Sequence, residues 1–144
     1  MKNIITTLCI ISAICSFQLM AEETSSAPKN LDEAHAQLLK HITPENLEKI
    51  KMMKTEDEMI GYHCSTGMGI RNSWGLRSES DLAKYFYDLG IYHPDDMSAI
   101  IMNTLWCKVH GQPLGLDERI SFYKQYWKAK LPPSPDTFPR NDLI

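Results

Sequence analysis

Five side chains in the middle of this chain carry the groups that bind small molecules or move protons: His63, Arg71, Asn72, Trp74 and His93. Arginine presents a forked donor to carboxylates, and asparagine and the indole N–H give directed hydrogen bonds. Histidine titrates near neutral pH. Gathered in one concave pocket, these five would make a small-ligand or enzyme site. The same residues also read as a structural corner, in which Trp74 plugs the core, Asn72 caps a turn and Arg71 pairs with an acid. Both readings stand at this point.

His93 is followed by Pro94, Asp95 and Asp96. Two aspartates just inside a helix start are explained by the positive end of the helix dipole. Their spacing from His63, His93 and His110 fits no ligand template, so no metal and no cofactor are expected. Gly67-Met68-Gly69 lacks a preceding strand, a third glycine and a Gly-Lys-Ser/Thr ending, so it is not a phosphate loop. His63 and Cys64 are adjacent, and adjacent helical residues do not face each other, so they form no thiol–imidazole pair. Neither a Gly-x-Ser-x-Gly elbow nor a His-Glu-x-x-His run occurs. Catalysis is therefore the less expected role.

Near the C-terminal end, Phe122, Tyr123, Tyr126 and Trp127 crowd one segment. Ile120, Tyr123 and Trp127 form an inward stripe, while Phe122 and Tyr126 form a second stripe beside it. The second stripe is either a wide core face or a docking surface, because aromatic side chains often anchor interfaces.

The elements that must position these residues are helical throughout. Asn30, Thr43 and Ser80 read as helix caps, and Thr55 with Glu58 as a capping box. Met59, Ile60 and His63 would face inward. Residues 61–76 carry four glycines and read as either an irregular connection or a helix packed very close to a neighbour. Pro94 opens a long helix to about His110, with apolar residues on two adjacent stripes, as a central buried element requires. Leu116 and Asp117 start the last helix. The expected fold is all-α, a single compact domain of five or six short helices over residues 31–130. A flexible leader at 22–30 precedes it, and a Pro-rich tail at 131–144 follows.

Residues 1–21 begin with Lys2, continue through an uncharged, largely apolar run and end at Ala21, before Glu22 and Glu23. This is the pattern of a signal peptide. It predicts a periplasmic or secreted protein with no stable membrane span after cleavage. The run is shorter than the roughly 20 apolar residues that an anchor needs. The chain carries a net charge of −3, and loss of Lys2 makes the remainder more acidic. Nucleic acid is a poor partner for such a surface. In an oxidising compartment Cys64 and Cys107 are expected to form a disulfide, which would contribute about 4 kcal/mol by loop closure. Two buried free thiols are the alternative.

Two motifs stand out from this background. One is Gly67-Met68-Gly69-Ile70-Arg71-Asn72-Ser73-Trp74-Gly75-Leu76, and the other is Leu89-Gly90-Ile91-Tyr92-His93-Pro94-Asp95-Asp96-Met97-Ser98. Together they resemble a small bacterial domain family of unknown function, over residues 31–127. Ser73 stands where the family pattern has a second asparagine, Arg77 where it has a tryptophan, and Cys64 where it has an aromatic residue. The resemblance implies no activity and assigns no catalytic residue. Size, acidity and the lack of catalytic motifs point instead to a protein whose partner is another protein, with a toxin-neutralising immunity protein as a concrete form.

Overall fold

A computed structural model describes residues 26–130. The expected signal peptide, the first part of the leader and the Pro-rich tail lie outside the described residues. Those residues form six α-helices and no strand, as the sequence patterning requires. They are α1 (Leu31–His41), α2 (Pro44–Met52), α3 (Met68–Ser73), α4 (Asp81–Asp88), α5 (Pro94–Val109) and α6 (Leu116–Lys130). No helix among them is long and apolar enough to cross a membrane.

Local side-chain chemistry sets most helix ends. Asn30 accepts from the Glu33 N–H at 2.9 Å, Thr43 from that of Asn46 at 3.2 Å, and Ser80 from that of Ala83 at 3.1 Å. Each cap satisfies a backbone donor that the first helical turn leaves unpaired. At the other expected start, Thr55 and Glu58 do form a capping box, but it opens a 3-10 segment, Glu56–Tyr62. That segment runs into a π-helical turn, His63–Gly67, and then into α3. The stretch is thus one helical path that changes pitch twice. At Gly67 a Cβ would lie 3.1 Å from the Met102 Cε and 3.2 Å from the Arg71 guanidinium, so any larger residue here would push these two side chains aside. Within it, Met59 is buried as expected. Ile60, expected inward, is 76% exposed, because the tighter 3-10 winding turns it away from the core.

Helix α5 is the axis of the fold. Met97, Ile100, Ile101, Met102 and Leu105 are all buried, and every other helix except α3 and α2 contributes a buried or half-buried aromatic or leucine against this core. Phe86, Leu82 and Leu76 are fully buried. At the leader's end, Pro28 is buried and the Ser26 carbonyl accepts from Gln37 at 2.7 Å, which ties residues 26–30 to α1.

The expected Cys64–Cys107 disulfide is not formed: both thiols are free, Cys64 exposed and Cys107 buried. Cys107 faces Glu56 and Arg119, each 3.4 Å from its sulfur, whereas Cys64 sits on the outer side of the π turn. Burial and the Glu56 carboxylate push the Cys107 thiol up, which makes it a poor nucleophile.

His35 is a fully buried polar group that links α1 to α5. Its Nε2 lies 2.9 Å from the Thr104 hydroxyl and 3.2 Å from the Ile101 carbonyl. Because the Thr104 hydroxyl donates to the Ile100 carbonyl, Nε2 carries the proton and Nδ1 is left buried with no partner. Burial lowers the pKa of His35 below its ordinary 6.5, and the nearby Lys108 cation lowers it further. The unfolded chain therefore takes up a proton that the folded chain refuses, and stability falls as the pH drops below 6.5 toward the lower folded value. Urea titrations over that range are expected to give a shallower fall with pH for His35→Gln than for the native chain. Identical slopes would show that this ring is not the group responsible.

Candidate functional site

Three of the five singled-out residues meet at the start of α5, and they meet on one carboxylate. Arg71, on α3, places Nε 2.8 Å from the Asp95 Oδ1. This is an ion pair rather than an aligned hydrogen bond, since the Nε–H finds no acceptor along its own direction. Its Nη1 donates to the Ser98 hydroxyl at 2.9 Å, and that hydroxyl donates to the Asp95 carbonyl at 2.9 Å. The guanidinium is buried, whereas the Asp95 side chain is 41% exposed. His63 Nε2 lies 4.0 Å from Oδ1, and His93 Nδ1 lies 3.8 Å from Oδ2. His93 Nδ1 also accepts from the Asp95 N–H at 3.3 Å, so His93 is itself the cap of α5.

The neighbouring acid has a separate partner. Trp127, on α6, donates its indole N–H to the Asp96 Oδ2 at 2.6 Å, and its ring stacks on His93 with centroids 5.1 Å apart. Burial pushes the Asp96 carboxyl up, opposed by the Trp127 hydrogen bond and the His93 charge.

Asn72 and Trp74 do not join this group. Asn72 is exposed, and its side chain makes no hydrogen bond among the described residues, so it does not cap a turn there. Trp74 is half-buried and packs against the core, as the structural-corner reading expects. Gly75 follows with φ +63°, a left-handed turn that brings Leu76 into the core behind it. No cluster among the described residues gathers three or more groups able to hold a metal.

A second polar cluster lies at the other end of α5 and was not expected from the sequence. Arg119, on α6, binds the Glu56 carboxylate through both terminal nitrogens, one of them at 2.9 Å, and donates from Nε to the Leu114 carbonyl at 2.8 Å. The guanidinium holds the Glu56 carboxyl below its usual range. A gap of 63 residues separates the partners, and no local pattern signals such a pair.

The two clusters bound a trench. One wall is the 3-10 segment, with Glu56, Asp57 and Ile60, and the other is α6, with Glu118, Phe122 and Tyr123. Ala99 and Asn103 of α5 form its floor, and His63 closes one end. The wider part, beside Phe122, has a volume of about 530 Å³, and the part beside Ile60 about 310 Å³.

Phe122 and Tyr126 lie on the outer face of α6, 62% and 40% exposed, with their rings stacked at 6.4 Å. Lys130 sits over the Tyr126 ring at 4.7 Å. Ile120 is buried, and Tyr123 and Trp127 are half-buried, so the inward stripe is as expected and the second stripe is not part of the core.

No curated protein and no solved structure matches the chain. Residues 27–109, more than half of it, match the family described as a domain of unknown function, DUF6794, and the chain belongs to that family.

Proposed function

We propose that this chain is exported, with residues 1–21 as its cleaved signal, and acts in the periplasm or the medium as a protein-binding module. An immunity protein that neutralises a toxin is the concrete form we favour. The observation that carries the reading is the stacked Phe122–Tyr126 pair on the solvent side of α6. The core does not use these rings, and exposed aromatic pairs of this kind anchor protein interfaces. Helix α6 begins at Leu116, beyond the family match, which ends at residue 109. The proposed surface is thus built on the family domain by a segment outside it.

The convergence of His63, Arg71 and His93 on Asp95 favours a small-ligand or enzyme site as the second reading. It is the weaker one. Arg71 is buried and its charge is already compensated by Asp95, so it offers little to a substrate carboxylate. Of the three, only His63 lines the trench.

Co-purification tests the first reading, with the full chain expressed behind its own leader and tagged at the C-terminus. One stoichiometric protein is expected in the periplasmic or secreted fraction. Replacing both Phe122 and Tyr126 by alanine should weaken its binding by at least about tenfold, as for two interface anchors. Binding that survives loss of both rings overturns the proposed surface, and a chain that stays in the cytoplasm overturns export.

A further inference from the structure

We propose that the trench between the 3-10 segment and α6 seats a cationic, amphipathic helical segment of a partner protein. The proposal rests on the protein-binding reading and names the chemistry of the bound segment. Three independent features of the trench converge on it.

The first is its floor. Most of the α5 surface is buried, and Ala99 and Asn103, one helical turn apart, are left half-exposed between the two walls. The Asn103 side chain has no hydrogen-bond partner among the described residues, so the floor carries one directed polar group in an otherwise apolar strip. The second is its walls. Ile60 and Phe122 stand on opposite sides, 76% and 62% exposed. An apolar residue on each wall fits the helix-in-groove mode, in which side chains at i, i+3, i+4 and i+7 enter between two ridges. The described residues contain no strand, so they offer no sheet edge to an extended peptide.

The third is charge. Asp57 on one wall and Glu118 on the other have no ion-pair partner among the described residues. Glu58 and Asp117 stand next to them in sequence. The cation within the trench lining, Arg119, is already neutralised by Glu56. The rim is therefore negative, and it complements lysine or arginine flanking an apolar stripe. Such an arrangement steers a basic partner and raises its association rate.

The test uses the purified chain and two synthetic peptides. One repeats Leu-Lys-Lys-Leu-Leu-Lys-Leu, and the other has glutamate in place of each lysine. The lysine peptide is expected to bind and to shift the backbone amide resonances of Ile60, Ala99, Asn103 and Phe122, with affinity falling as salt rises. The glutamate peptide is expected not to bind. Reversing both rim charges, Asp57→Lys with Glu118→Lys, should weaken the lysine peptide by about tenfold or more. Asp57→Asn with Glu118→Gln should fall between. Both side chains are exposed and unpaired but lie in the first turn of their segments, so the lysine variants should melt slightly below the native chain, still cooperatively, and the Asn/Gln pair closer to it. Failure of the lysine peptide to bind, equal binding of the glutamate peptide, or shifts confined to another face would each overturn the proposal. So would trench protection in the free chain that vanishes on removal of residues 131–144, or that grows with protein concentration. The first would make the chain's own C-terminal segment the occupant, and the second a second copy. If the natural partner found by co-purification still binds the charge-reversed chain, the trench assignment fails while the protein-binding reading stands. If the lysine peptide binds the trench but no protein co-purifies, the protein-binding reading fails instead.

Discussion

Asp95→Ala is expected to destabilise the folded chain by about 3 kcal/mol, more than removal of its buried partner does. The reason is an asymmetry in burial. The Arg71 side chain is 7% exposed and that of Asp95 41%. Deleting the acid strands a buried cation with Ser98 as its remaining partner, and it also removes a negative charge from the first turn of α5. Deleting the cation, as in Arg71→Met, leaves a carboxylate that water already reaches, with an apolar side chain of similar length filling the space. That change should cost about 1–2 kcal/mol, because the solvent at Asp95 discounts the lost attraction. The double variant should be more stable than Asp95→Ala alone. Urea unfolding of the three variants checks the order. If Arg71→Met proves the most damaging, the charge pair is not what holds this corner.

Phe86→Ala should cost more than either, about 3–5 kcal/mol, the usual range for truncating a buried aromatic ring. Phe86 is fully buried on α4, and its ring meets Tyr85 edge-to-face at 5.3 Å. A small domain has about 5–15 kcal/mol in total, so a fifth or more of the stability would be lost. Thermal or urea denaturation measures this directly. A loss below about 1 kcal/mol would mean that the surrounding helices collapse onto the vacated space, contrary to the close-packed core described here.

What was legible in the sequence follows the range of the interactions. Caps such as Asn30, Thr43 and Ser80 act on a backbone N–H three residues away, so their residue types mark helix starts directly. The periodicity of α5 announced a buried axis, because nearly all of its faces are apolar. Residues 56–67 were harder. The capping box at Thr55 and Glu58 marks a helical start but not whether it winds as a 3-10, π or α turn. Ile60 turns outward because of that winding. The corner around Arg71 was half legible. An arginine among glycines calls for an acid, but nothing local says that the acid is Asp95, 24 residues further along. The Glu56–Arg119 pair gave no signal at all. The disulfide expectation failed because a compartment says which bonds are chemically permitted, whereas the bond itself needs two sulfurs in contact.

Helix α6 is joined to the rest of the molecule largely through side-chain polar contacts. It buries one residue, Ile120, and is otherwise fastened by Arg119 to Glu56 near its start and by Trp127 to Asp96 near its end. Two polar clasps and a shallow apolar seam hold less free energy than a deep core. The last helix therefore belongs to the weakly held part of the fold: it can lift from α5 while the body formed by residues 27–109 stays closed. Its departure would dismantle one wall of the trench and carry Phe122 and Tyr126 away with it, so the grip of this surface on anything it holds is limited by the undocking of a single helix.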